Sequence, residues 1–440
     1  MDTQNNLYQS KLTDADQAVS LINDTAKIAM GMAVSQPPAL LQAIAHRAQA
    51  GKFKDLRVYY MHAEKPANDT ILQYDLMDVI KPYPAFLGSK ERELIKQADE
   101  QGRGKVIYYV PSSFSQLPSF FRRYIKLDAC IVTVSPMDKA GYFTLGTNND
   151  YTSVAARHAK KLIVEVNPNM PRVFGDSLIH ISEVDAIVEN KQTLINLMPK
   201  EPGETDKQIA HQVAELIPDG ATIQMGVGGI PDAICYHLQK RNDLGVHSEL
   251  LSPGVANLIK EGNATGRHKH INRFKHVFTV AFGDQPMYDF MHDNPSIESY
   301  PVDYVNDPSI IAQNDRVVSV NAIIEIDLYG QVNAEDIKGR QFGGPGGQND
   351  FVRGATASKE GKSIIAFQST AKNGQISKIV PQINGVVTDL RTDVEYVATE
   401  YGIINLKGLS TSERAKQLIS IAHPDYRDYL TEQAKAMELI

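Results

Sequence analysis

The sequence predicts an α/β protein built of two related open domains with largely parallel sheets. Three observations carry that reading. Short β-branched runs alternate with longer helical patterns along the whole chain. Several of those runs are apolar almost throughout, as strands covered on both faces are. And an eleven-residue stretch recurs 195 positions on: residues 21–31 read LINDTAKIAMG and residues 216–226 read LIPDGATIQMG, identical at seven positions.

The strand-like runs are 57–62, 106–111, 130–135, 161–166, 222–226, 317–320, 363–367 and 396–400. Helical patterns lie at 38–48, 208–216, 230–238 and 412–422. Each copy of the repeat follows a helical segment and passes through a strand into a Gly- or Pro-containing turn and a further helix. A duplicated strand–turn–helix unit explains this better than coincidence. The duplication places one domain at residues 1–198 and the second at 199–440, with a Pro/Gly linker at 199–203.

Composition narrows the function. The chain has 440 residues, 42% of them hydrophobic and 22% charged, which excludes a disordered chain, a collagen-like fibre and a coiled coil. A net charge of −7 argues against nucleic-acid binding as the main task. Two cysteines, Cys130 and Cys235, are too few for a disulfide framework or a Cys-based zinc site and suit a reducing compartment. The polar N-terminus shows no secretory leader, and no run of about 18 apolar residues exists to span a membrane. A cytoplasmic protein is the expectation.

Some motifs fail on inspection. Residues 225–231, MGVGGIP, follow a strand and open a helix, but Pro231 stands where a dinucleotide fingerprint needs its third glycine. Glycine amides at that helix start still suit a polar ligand group. Gly361-Lys362-Ser363 resembles a phosphate-binding loop, yet Thr356 occupies the required glycine position. The basic, His-rich residues 267–276 have no carboxylate or Cys at metal-ligand spacing and read as a solvated connection. No Gly-x-Ser-x-Gly elbow supports a serine hydrolase.

Three segments remain together. Residues 244–254, LGVHSELLSPG, carry Glu249 where an extended run meets a turn. Residues 341–351, QFGGPGGQNDF, hold four glycines in five residues, a stretch whose backbone N–H groups can converge on an anion. Residues 222–233 hold the glycine turn already described.

These segments resemble the acetyl-CoA hydrolase/transferase family of class I CoA-transferases, most closely its 4-hydroxybutyrate and butyrate CoA-transferase branch. The family's Gly-x-Gly-x-Ile-Pro-Asp-Ala matches residues 226–233, its His-Ser/Thr-Glu-Met/Leu matches 247–250, and its Gly-x-Gly-Gly-Gln-x-Asp-Phe matches 344–351. Further likeness falls at 134–141, 289–295, 301–307, 330–332, 379–381, 399–402 and 422–424, so the resemblance runs from about residue 15 to residue 430. It implies two related α/β CoA-transferase domains, the second carrying the nucleophile.

The resemblance also implies the chemistry. Glu249 takes the place of the family nucleophile, which passes CoA from an acyl-CoA to a free carboxylate through a glutamyl-CoA thioester, with no metal and no cofactor beyond CoA itself. Backbone N–H groups of Gly346 and Gly347 are the expected oxyanion donors, each worth about 2.7–4 kcal/mol of barrier. Gly226, Gly228, Gly229, Gln224, Asp232, Gly343, Gly344 and Gln348 are expected along CoA, and Gln36, Pro37 and Ser135 at the acyl pocket. The chain departs from the family at Gln36, Pro253 and Pro345, which touches substrate choice more than reaction type. A neutral short acyl chain such as butyrate suits an apolar pocket. A dicarboxylate such as itaconate or succinate needs a cation, for which Arg122, Arg123 and Arg340 are the candidates. A hydrolase would use the same Glu249 with water as acceptor, and a non-catalytic CoA-binding protein would form no covalent adduct. A homo-oligomer is the implied assembly, without nucleic acid or membrane as partner.

Overall fold

The repeated segment becomes the first strand of a sheet in both halves of the chain. The computed structural model describes residues 2–197 and 201–440, so positions 199 and 200 of the expected linker lie outside the described residues. In the first sheet the strands are Thr25–Met30 (β1), Asp55–Tyr60 (β2), Ile80–Pro84 (β3), Ala129–Val134 (β4), Leu162–Val166 (β5) and Ala186–Glu189 (β6). Their order is β3-β2-β1-β4-β5-β6, and every pairing is parallel.

The second half uses Thr222–Met225 (β7), Gly245–Leu251 (β8), Val317–Asn321 (β9), Lys362–Ala366 (β10), Tyr396–Thr399 (β11) and Gly402–Asn405 (β12). They run in the order β8-β7-β9-β10-β11-β12, parallel except for β12, which turns back antiparallel on β11. In both sheets the first strand has the second on one side and a later strand on the other. The winding therefore reverses at β1 and at β7, and open α/β sheets bind ligands at such reversals.

Apolar burial drives both layers. Every residue of β4, β5 and β7 is buried. Ile28, Leu41, Leu56, Val58 and Ile131 belong to one core cluster, and Val352, Ile365, Val397 and Leu418 to another. Each such side chain contributes about 1.5–3 kcal/mol on leaving water. The helix Pro38–Gln49 (α1) shows the local logic. Pro38 fits its first turn, and Leu40, Leu41, Ile44 and Ala48 form its buried stripe. Its N-terminus has no side-chain cap of its own. Glu165 on β5 replaces one, accepting the N–H groups of Ala39 at 2.9 Å and Leu40 at 3.1 Å.

Two expectations need amendment. Residues 106–111 are extended but are not a paired strand. Tyr108 and Val110 donate to the carbonyls of Pro82 and Pro84 at 3.0 and 2.9 Å. Those two prolines have no N–H to return, so the ladder is one-sided. The second amendment concerns the domains. Met1–Leu197 groups with Val277–Val305, and Met198–His276 with Asn306–Ile440. Residues 277–305 group outside the expected 199–440 block, and several of their bonds run to the first half. Ile297–Ser299 pairs in parallel with Phe174–Gly175, Asn149 donates to the carbonyl of Thr279 at 3.0 Å, and Val302 donates to that of Asp150 at 3.0 Å.

Candidate active site

Strand β8 presents His247 and Glu249 on one face, because side chains alternate along a strand. The helix Gln348–Ala357 (α3) lies against that face. Two residues of strand and four of helix both advance about 6–7 Å, so the two periods can match. Phe351 meets His247 with ring centroids 6.5 Å apart, and Gly347, just before the helix, meets Glu249. A Cβ at Gly347 would overlap both Glu249 Oε2 and Asn306 Nδ2, so only glycine fits. The Gly347 N–H hydrogen-bonds the Glu249 carboxyl. Asn306 Nδ2 donates to Glu249 Oε2 at 2.6 Å. Two N–H donors thus converge on one carboxyl group.

Burial pushes the Glu249 carboxyl up to about 7, and the neighbouring Asp350 charge adds to the shift. The Asn306 and Gly347 donors hold it from rising further. A carboxyl must be ionised to attack. Any reaction that uses Glu249 as its nucleophile therefore slows about tenfold per pH unit below pH ~7. Asp350→Asn removes the like charge and moves that acid limb to lower pH. A limb unmoved in the variant, in a pH profile of kcat/KM, would separate Glu249 ionisation from the rate.

The glycine loop is divided in its roles. Gly346 takes φ +56°, a left-handed turn that delivers the chain to Gly347. Gly347 alone of the two expected oxyanion donors is placed against Glu249. Gly343 and Gly344 are buried, and the Gly343 N–H is already bonded to the Glu335 carbonyl at 2.9 Å. The Gln348 amide donates to Asp389 Oδ2 at 2.5 Å and is thereby committed inside the protein.

The other glycine turn follows β7, where the winding reverses. Gly228, at φ +122°, begins the helix Gly229–Leu238 (α2). Gly229 packs so closely on Asp206 that a Cβ would collide with its carboxylate. Gly226 leaves room, its would-be Cβ no closer than 4.0 Å to Pro231 or Val320. Gln224 and Asn321 exchange amide contacts at 3.4 and 3.3 Å across β7 and β9. Asp232 is half-buried, and burial raises its carboxyl.

The three expected acyl-pocket residues belong to the first half of the chain, past the ends of β1 and β4. Gln36 lines an open cleft of about 980 Å³ beside Pro38, Thr133 and Asn167, where the winding reverses at β1. Its Oε1 accepts the N–H groups of Glu64 and Ala67, both at 3.3 Å, so this glutamine also fixes its own wall. Pro37 precedes α1. Ser135 is fully buried, and its Oγ accepts the Thr144 N–H at 2.9 Å, so it does not line the cleft. Arg122 is ion-paired with Asp303. Within residues 267–276, Lys269 is buried and donates to the carbonyls of Val246 and Lys275 at 2.9 and 2.8 Å, steadying β8 rather than facing solvent.

Sequence reasoning missed Asn306. It lies in the family-like stretch 301–307, which was legible as a likeness but carried no assigned role. Among the described residues no group of three or more His, Cys, Asp or Glu side chains could hold a metal ion. No described helix is long and apolar enough to cross a membrane.

Comparison with known proteins decides the family. The acetyl-CoA hydrolase/transferase N-terminal domain matches residues 1–199, and the C-terminal domain of the same name matches residues 283–434. The 4-hydroxybutyrate coenzyme A transferase of Clostridium kluyveri is 40% identical over 98% of each chain. The chain belongs to the acetyl-CoA hydrolase/transferase family. It is an enzyme of the CoA-transferase class. Butyryl-CoA:acetate CoA-transferase of Anaerostipes caccae is 36% identical, covering 98% of this chain and 97% of its own. Among solved structures, RipA from Yersinia pestis is 52% identical with a TM-score of 0.97, covering 99% of this CoA-transferase and 100% of its own chain.

Proposed function

We propose that this CoA-transferase moves CoA between a short-chain acyl-CoA, such as butyryl-, 4-hydroxybutyryl- or acetyl-CoA, and a free carboxylate, through a glutamyl-CoA thioester on Glu249. The observation that carries the reading is the convergence of the Gly347 and Asn306 N–H groups on the Glu249 carboxyl.

The steps follow from that arrangement. One Glu249 oxygen attacks the thioester carbonyl, whose collapse expels CoA thiolate and leaves a mixed anhydride. The thiolate then attacks the glutamyl carbonyl. Negative charge gathers on the glutamyl oxygen, where Asn306 and Gly347 point their protons, and preorganised donors stabilise such charge without reorganising. Collapse releases the first carboxylate and leaves glutamyl-CoA. An incoming carboxylate runs the same steps in reverse. The thioester bond energy is conserved throughout, and covalent catalysis divides one hard step in two.

Neutral short acids suit the site better than dicarboxylates. Of the three arginines that could hold a second carboxylate, Arg122 is already ion-paired. The reading includes a homo-oligomer working in the cytoplasm.

Intact mass after mixing with butyryl-CoA tests the reading. The protein gains one CoA less one water, and adding acetate removes the gain. Thiol release without any carboxylate acceptor would make the protein a hydrolase. No adduct with butyryl-, 4-hydroxybutyryl- or acetyl-CoA would overturn the substrate class proposed.

A further inference from the structure

We propose that Asp389 is a positioning residue that holds the glycine loop in register with Glu249. The proposal rests on reading Gly347 as an oxyanion donor.

Asp389 is fully buried. Its carboxylate accepts from Gln348 Nε2 at 2.5 Å and from Asn349 Nδ2 at 3.2 Å. Those are the two residues that follow Gly347. The Asp389 backbone is fixed as well: it accepts the Val332 N–H at 3.1 Å and donates to the Val332 carbonyl at 3.2 Å. A carboxylate on a rigid mount thus grips the first turn of α3 by two side chains. The loop before it needs that grip. Gly346 and Gly347 have wide conformational freedom, and Gly347 has no side chain with which to cap its helix. Anchoring the turn from Asp389 fixes where the Gly347 N–H points, and a negative group at a helix N-terminus is itself favoured.

The chemistry of the contact supplies its own controls. Asp389→Ala leaves both amides without the acceptor. Asp389→Asn is isosteric and keeps both contacts if the Gln348 amide rotates to present its oxygen. Gln348→Glu sets two carboxylates face to face, and adding Asp389→Asn to it restores a donor–acceptor pair.

The expected results are these. Asp389→Ala lowers kcat about 10–100-fold, as a displacement of about 1 Å does, with KM for acyl-CoA changed less than about threefold. Asp389→Asn stays near wild type. Gln348→Glu loses kcat to a similar extent, and the double variant recovers most of it. Melting temperatures are measured alongside. Should Asp389→Ala not fold, the comparison of Gln348→Glu with the double variant decides. The proposal is overturned if Asp389→Ala lowers melting temperature alone, or if the double variant is no faster than Gln348→Glu. Gly347→Ala separates the two readings. Full activity there removes the oxyanion assignment, whereas loss there with none in the Asp389 series removes only the positioning role.

Discussion

Glu249→Ala protein mixed with butyryl-CoA gains no CoA mass and transfers CoA at least about 10⁴-fold more slowly than wild type. The size of the effect follows from the nucleophile role proposed for the residue. Without it no anhydride forms, and the free acid must attack the thioester directly. The remaining donors, Asn306 and Gly347, then serve a reaction that lacks its nucleophile. Glu249→Gln gives the same loss with less disturbance, since the amide oxygen still accepts both N–H groups but cannot attack. The pair also differs in stability in a calculable direction. The carboxyl is raised from 4.5 to about 7 in the folded protein. A raised carboxyl favours the native state below its unfolded value and loses that advantage as pH climbs through the folded one. Glu249→Gln therefore melts higher than wild type at pH 8 and level with it near pH 4. A persistent CoA adduct in the Ala variant would move the nucleophile elsewhere.

Gly347→Ala comes second in size. Its methyl group has no space, because the Glu249 carboxyl and the Asn306 amide already occupy the place. Either the carboxyl rotates away or the loop retreats and takes its N–H along. Both outcomes cost kcat, by about 10²–10³-fold for one lost oxyanion donor and more if the nucleophile moves. Gly346→Ala is the informative neighbour. A Cβ there meets nothing within 4 Å, but the φ of +56° strains any L residue. It should cost about 1–2 kcal/mol of stability and less in rate. Steady-state kinetics and melting curves on the two variants separate the effects. Equal loss of kcat in both would point to loop disorder rather than a lost donor.

Much of this was legible before any coordinates. The repeat at 21–31 and 216–226 marked the first strand of each sheet, because burial on both faces and a turn into a helix leave a local pattern. Glu249 stood out only by likeness to a family, since a lone glutamate carries no signature, whereas the glycine loop showed in its own composition. Asn306 was not legible as a partner: it is 57 residues from Glu249, and nothing in its neighbours announces the pairing. Asp389 was hidden for the same reason, its acceptor role appearing only once α3 is folded against it. The strand expected at 106–111 misled because apolar content predicts extension, while pairing also depends on the N–H groups that Pro82 and Pro84 lack.

The division of the chain has a genetic consequence. The polypeptide leaves one unit for the other after Leu197, again after His276 and again after Val305, so that Asn306 is the first residue of the last return. A gene cut at codon 198 would encode two products, of which only the second contains every residue of a folding unit. The first would lack residues 277–305, and the second would carry them with Ile297–Ser299 parted from its strand partner Phe174–Gly175.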